Sequence, residues 1–511
     1  MRKLYLIYCW VAMLTTVHAQ PASQRLIGEK MSVRQLSNGL LADSLTVPAI
    51  SSNAGLRLMD RAGVWMTATD NSGIIRVSAH DVIGGKQNFW GGPLQINNGS
   101  SSDTLQWDKV WKASKSQIDF HRQHYKDNNY VPVSVINTWP GNGASGYASI
   151  LAPFVDNDVN DQVYQPMNGD YPYFKSEELM FGIANDRAGI RQYAPLGVEL
   201  HTSVMSFSAK DTALSRCVMV RYSVFNRSDR DYRNFRFSTV MNFGIGLQDN
   251  EYLGTDVANK ILFAINDTSE ATFSNKLVSI GCMALNNQLS STMYFENTAD
   301  PVNGFPVLDS HYVRLMTGYW KNNKQLVYGG NGVDASGASA KFVYPYNTDL
   351  SHGSVMWSDN ERYQPGKRYG LMNFDSVSLM AGTGRNYDVV YFFVEEDSFD
   401  VKQITQSCLK IKQVLDTKNL LKTVKNEFKY GENLELYPNP VKAGEKMVIK
   451  FSAESPASMR IISSEGRQII KIDLDSFDNS IILPEDLAEG VYLLEYETLN
   501  TKRYIKFALN Q

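Results

Sequence analysis

Asp156, Asp158 and Asn160 stand at alternate positions of the segment DNDVNDQVYQPMNGDYP (156–172), with Asp161 beside them and Asp170 following a glycine. Ca²⁺ takes about six to eight oxygen ligands, and alternating Asp/Asn side chains plus a backbone carbonyl supply about five of them from one loop. Asp156, Asp158 and Asn160 fit the first, third and fifth positions of such a loop, and Asp170, Glu177 or Glu178 would complete the shell. The glycine that usually makes the sharp turn is missing, which counts against an ion, although Asp161 tolerates left-handed backbone better than most residues. The same polar run suits a plain solvated turn, so both readings stand. If an ion is bound, the chemistry expected of it is structural: Ca²⁺ stiffening a long surface loop.

Other constellations carry less. Gln248-Asp249-Asn250-Glu251 with Asp256 is a second, weaker acidic candidate. His121 and His124 lie three apart and could share Zn²⁺, but two ligands do not make a site and a solvated helix face shows the same spacing. No Gly-x-Ser-x-Gly elbow, His-Glu-x-x-His helix or Gly-x4-Gly-Lys-Ser/Thr loop occurs. Gly329-Gly330-Asn331-Gly332 is followed by no helix start, which argues against a phosphate cradle. Trp65, Trp90, Trp107, Trp111, Trp139, Trp320 and Trp357 suit either platforms for sugar rings or core packing. Glycosidase chemistry needs two carboxylates about 5–10 Å apart, and the many acidic residues do not pair themselves in a sequence. No catalytic or cofactor-binding residue is therefore assigned.

The elements that must position these residues are strands. Runs such as GVWMTATD, GIIRVSAHDV, VMVRYSVFN, FRFSTVMNF and NYDVVYFFVEE alternate or are continuously apolar, bounded by Asn, Asp, Gly and Ser. Many short strands with frequent turns predict an all-β chain: a large multi-stranded β-sandwich with a few short helices, then a small Ig-like β-sandwich. Helices are expected over 114–125 and 400–416; in the second, Val401, Ile404, Cys408, Ile411 and Leu415 share a face that should lie on the sandwich. The expected division is 20–130, a β-rich region that is separate or part of the main unit; 131–417, the main sandwich; 418–434, a polar linker; and 435–511, a compact sandwich. In that last unit Ser464-Glu465-Gly466-Arg467 and Leu499-Asn500-Thr501 read as hairpin turns, and Ile505, Phe507 and Leu509 alternate with Tyr504, Lys506 and Ala508.

The chain opens MRKLYLIYCWVAMLTTVHAQ: two cations, a short apolar run, and Val17-His18-Ala19 with small residues at −3 and −1. This is the layout of a cleaved secretory signal over residues 1–19, with Gln20 as the first mature residue. The run is too short for a permanent span, and no later apolar stretch approaches about 18 residues, so no transmembrane span is expected. The net charge of −3, near −5 once Arg2 and Lys3 leave, is too mild to imply nucleic acid, and no basic tract appears. Cys217, Cys282 and Cys408 are too few for a disulfide framework; Cys217 and Cys282 either pair or are small buried residues.

The tail resembles the type A C-terminal sorting domain of the type IX secretion system. The likeness rests on Leu436-Tyr437-Pro438-Asn439-Pro440, the Gly466-Arg467 turn, Leu487-Ala488-Glu489-Gly490-Val491-Tyr492-Leu493, and the last strand with Lys502 and Lys506. The middle strand, Met459-Arg460-Ile461-Ile462, keeps the family pattern loosely. The resemblance implies delivery through an outer-membrane translocon of Bacteroidota-type bacteria, removal of the tail by a sortase-like surface protease, and no catalysis in the tail. An ordinary terminal sandwich, such as a sugar-binding module, is the competing reading.

Residues 55–415 are similar to a family of secreted surface proteins of those bacteria. The likeness lies in Gly63-Val64-Trp65, Gly91-Gly92-Pro93-Leu94, Trp107-Asp108-Lys109-Val110-Trp111, Trp139-Pro140-Gly141, Pro153-Phe154-Val155-Asp156, Gly169-Asp170-Tyr171-Pro172, Asn185-Asp186 and Gly254-Thr255-Asp256. The acidic loop here is one residue longer than the family's and lacks its glycine. Together these readings predict an exported, non-catalytic surface or secreted protein, adhesive or structural, with an extracellular glycan or protein as ligand. The alternative is a carbohydrate-binding or polysaccharide-degrading surface protein.

Overall fold

The computed structural model describes residues 21–510 apart from 48–55, 85–87, 97–98, 100–103, 144–145, 149, 159–162, 189–192, 208–212, 247–248, 270–272, 334–336, 354, 360–364, 419, 421–434, 451–457, 464–466, 473–479 and 498–501. The signal segment, Asn160, Asp161, Gln248, Gly466 and most of the linker lie outside the described residues.

Two nine-stranded sheets, antiparallel in their pairings, form the body. The first runs in the order Ser23–Ile27, Ser32–Leu36, Leu41–Val47, Leu56–Thr69, Tyr232–Phe243, Tyr369–Phe374, Leu289–Phe295, with Ile75–Ala79 and Val377–Leu379 attached. The second runs Glu251–Asp256, Ile261–Asn266, Leu277–Ala284, Gly384–Glu396, Cys217–Asn226, Val198–Ser206, Glu178–Asn185, Trp90–Gly91, with Trp111–Ser114 beside Glu178–Asn185. The strand Leu56–Thr69 is a central partner of Tyr232–Phe243, so the N-terminal strands and the later ones share a sheet.

Why several strands are apolar at every position follows from what covers each face. Val389, Tyr391 and Phe393 point into the core between the sheets, while Val390, Phe392 and Val394 point to the other side. There the helix Val401–Thr417 covers them with buried Ile404, Cys408, Ile411 and Leu415. Each such burial is worth roughly 2 kcal/mol before ordering entropy is charged against it. Asp400 caps the helix by accepting from Lys402 N. A cross-sheet stack, Phe237 on Tyr387 at 3.9 Å and 6°, marks the sandwich interior. Gly254 sits where a Cβ would come within 2.2 Å of the Phe263 ring, so no larger residue fits under that ring.

Over the other end of the second sheet lies a smaller apolar layer of Trp111, Trp139, Ile150, Leu151, Phe154, Tyr164 and Phe181. The helix Lys115–His124 runs beside it, opened by a capping box in which the Ser114 and Gln117 side chains bond each other's backbone. Cys217, Cys282 and Cys408 are free and buried. Among the described residues, eight strands form the tail, in a three-stranded and a five-stranded sheet around Met447, Ile449, Ile461, Leu494, Phe507 and Leu509. Strand Lys502–Asn510 buries Phe507 and Leu509 and exposes Lys506, as the alternation requires. Among the described residues, no helix is long and apolar enough to cross a membrane.

Candidate functional site

The acidic loop is tied at its base. Phe154 pairs with Pro172 and Val155 with Tyr171, so residues 156–170 close on a two-residue ladder. Phe154 and Tyr164 anchor the loop in the small apolar layer with rings 5.2 Å apart. Asn142 holds the Tyr164 backbone from both sides, accepting from its N at 2.7 Å and donating to its O at 2.9 Å. The Tyr164 hydroxyl donates to Ile136 O at 2.6 Å. Gly169 adopts φ +104°, and a Cβ there would lie 2.7 Å from the Tyr125 ring and 2.8 Å from Asn157 Nδ2.

Within this frame the side-chain oxygens of Asp156, Asp158 and Asp170 lie within 4.8 Å of one another. Asp170 is fully buried and accepts from Asn157 N at 2.7 Å and Gln165 N at 2.8 Å. Burial pushes its carboxyl up to about 6, against the two amides and with help from the charges of Asp158 and Asp156. Asn168 Nδ2 donates to Asp158 at 2.7 Å. Three carboxylates brought together this way offer hard oxygen ligands that a divalent cation would suit and that its charge would stabilise. Glu177 lies outside that group: it is exposed, and its backbone bonds Lys115 N and Ser206 O.

The second acidic stretch does not converge. Asp249 pairs with Arg57 and Lys367, each at 3.5 Å. Glu251 is buried and accepts from Ile245 N, and burial lifts its carboxyl to about 7. Asp256 accepts from Asn259 and from Thr405 of the long helix. The histidine pair separates as well. His121 is buried against the Tyr130 hydroxyl at 3.1 Å, whereas His124 bonds Asp127 at 2.7 Å on the surface.

The tryptophans are clips. Trp65, Trp111, Trp139, Trp320 and Trp357 are buried, and their indole N–H groups donate to the carbonyls of His80, Thr138, Pro153, Gly332 and Gly330. These five are core residues that fasten loops, so the platform reading fails for them. Asn185 and Asp186 also fasten loops. Asn185 donates to Gly92 O, and Asp186 accepts from the amides of Leu196, Gly197 and Val198 and from the Ser78 hydroxyl.

A charged cluster that sequence reading missed lies fully inside: Glu199 accepts from Arg227 at 2.9 Å, from Leu94 N at 2.7 Å, and bonds His201 at 2.8 Å. Burial raises the Glu199 carboxyl, but Arg227 and His201 outweigh it and hold it at about 2. Glu199 and His201 share one face of the strand Val198–Ser206, but Arg227 and Leu94 reach them from two other segments, which no spacing rule pairs with them. At exposures of 3 % or less they are sealed from solvent and anchor Leu94 to the sheet.

In the tail, Asn439 accepts from Ala508 N at 3.0 Å, joining the Tyr437–Pro440 segment to the last strand. Tyr437 is exposed, Pro438 half-buried and Pro440 exposed, and both X–Pro bonds of the segment are cis. Gly490 pairs with Leu509; the Tyr492 ring lies 5.9 Å from Phe507, and its hydroxyl donates to Ala488 O. Lys506 is exposed. Residues 435–510 match the family described as the secretion system C-terminal sorting domain. The tail is a type IX secretion sorting domain. A chain with this sorting domain is exported to the cell surface or secreted, and the domain engages the secretion system.

No curated protein matches the chain in sequence. Among solved structures, a polysaccharide lyase aligns at 9 % identity and TM-score 0.18, over 65 % of this chain and 39 % of that one. The chain thus spans about two fifths of that lyase, and a likeness so distant carries no argument about activity.

Proposed function

We propose that the passenger is a non-catalytic β-sandwich protein working in an adhesive or structural role outside the cell, with its 156–170 loop clamped by Ca²⁺. The sorting domain hands it to an outer-membrane translocon, and a sortase-like surface protease removes the domain. The observation that carries the passenger reading is the fate of its motif residues. Trp65, Trp139, Asn185 and Asp186 spend their polar groups fastening loops to the sandwich. Asp156, Asp158 and Asp170 instead meet at one point, where a cation would relieve their mutual repulsion.

Deleting residues 435–510 tests the export half. Surface-exposed passenger, read by protease shaving of intact cells, should fall at least about tenfold while the protein accumulates in the periplasm. Undiminished exposure would overturn the route.

A further inference from the structure

We propose that the groove between the helix Lys115–His124 and the acidic loop is a subsite for a short neutral saccharide. The groove has a volume of about 370 Å³ and is lined by Asp119, Arg122, Gln123, Tyr125 and Asn157. That volume lies at the lower end of the roughly 300–1,000 Å³ common for small-molecule sites. Asp119, Arg122 and Gln123 come from one helix at i, i+3 and i+4, so they share a face. Asn157 closes the groove from the loop, and Tyr125 from the end of the helix.

The chemistry of the wall selects the ligand. Among the described residues it holds a carboxylate, a guanidinium, two amides and a phenol, with no aliphatic side chain. Such a wall favours a polar ligand over an apolar one. Asp119 and Arg122 carry opposite charges 3.8 Å apart and offset each other within the wall. Sugar hydroxyls donate and accept at once, which suits a wall where planar donors alternate with acceptors. Part of the wall is set in advance. Asn157 Nδ2 donates to the Tyr125 hydroxyl at 3.3 Å while Asn157 N is held by buried Asp170. Arg122 lies over the Tyr171 ring, 5.4 Å from its centre. Fixing these groups before binding lowers the ordering cost of capture. The subsite does not depend on the loop's cation being Ca²⁺, nor on the passenger's being adhesive.

The test is calorimetric titration of the mature full chain with maltotetraose, cellotetraose, mannotetraose and xylotetraose at millimolar concentration, with tetragalacturonate as the anionic arm. At least one neutral tetrasaccharide should bind with Kd on the order of 0.1–1 mM. Arg122→Ala and Gln123→Ala should each weaken it about tenfold, the loss of roughly one good hydrogen bond, at unchanged melting temperature because both positions are exposed. Arg122→Lys should restore less than half of the loss, since a point charge cannot span two hydroxyls. Three results would overturn the assignment: no binding by any neutral sugar, binding by the galacturonate alone, or binding that survives the Arg122→Ala/Gln123→Ala double substitution.

Discussion

Two acid-rich segments of the passenger, 156–170 and 249–256, read alike in sequence and meet opposite fates. The first is an irregular loop closed on a short ladder, and its backbone can curl until Asp156, Asp158 and Asp170 face one point. The second runs along a strand, where successive side chains alternate faces at about 3.3 Å per residue. Glu251 and Asp256 therefore sit at opposite ends of Glu251–Asp256, each with a local partner. Acidic spacing alone does not make a site; the freedom of the backbone between the acids does.

The contrast can be strained at four points. Asp170→Ala strips a buried acceptor from the amides of Asn157 and Gln165 and should cost about 2–4 kcal/mol in denaturant unfolding. A loss below about 0.5 kcal/mol would mean the loop is not organised by that carboxylate. Glu251 gives the next effect. Its carboxyl stands at about 7 in the folded chain, above the ordinary range of about 4.3 in the unfolded one. The folded state thus keeps a proton that the unfolded state gives up, and this stability is present below about pH 4 and lost as pH rises through about 7. Glu251→Gln should therefore stabilise the passenger at pH 8 by on the order of 2 kcal/mol and change little at low pH. Parallel pH profiles for the two proteins would place the burial penalty elsewhere. Trp139→Phe keeps an aromatic ring, though a smaller one, but leaves Pro153 O without its donor, and should cost about 1–2 kcal/mol in thermal unfolding. Asp249→Asn removes two partly exposed ion pairs and should change stability by less than about 1 kcal/mol, with the difference vanishing in high salt.

Much of this was legible in the chain. The helix over 400–416 announced itself because Ile404, Cys408, Ile411 and Leu415 repeat at helical spacing, and a single stripe is all that a surface helix needs to bury. The other helix, expected over 114–125, runs Lys115–His124 behind the Ser114 cap. Asp156, Asp158 and Asp170 were readable as one group because local sequence also decides their local geometry. The tail was readable from its Tyr437–Pro440 and Gly490–Leu493 segments. Glu199, His201 and Arg227 were not, since Arg227 meets the other two only through the register of two neighbouring strands. The groove residues Arg122 and Asn157 escaped for the same reason: helix and loop are 35 positions apart, and nothing local pairs them. Glu177 was over-read; its side chain is exposed while its backbone closes onto Ser206.

One melting experiment bears most directly on the cation clamp. The mature chain and the Asp156→Ala/Asp158→Ala variant are unfolded thermally with Ca²⁺ in excess and again with EDTA. Wild type should melt several degrees higher with the ion, because a ligand bound only to the folded state stabilises it by mass action. The shift should shrink below about pH 6 as Asp170 takes up its proton, and the variant should show none. Identical wild-type curves in Ca²⁺ and EDTA would contradict the clamp.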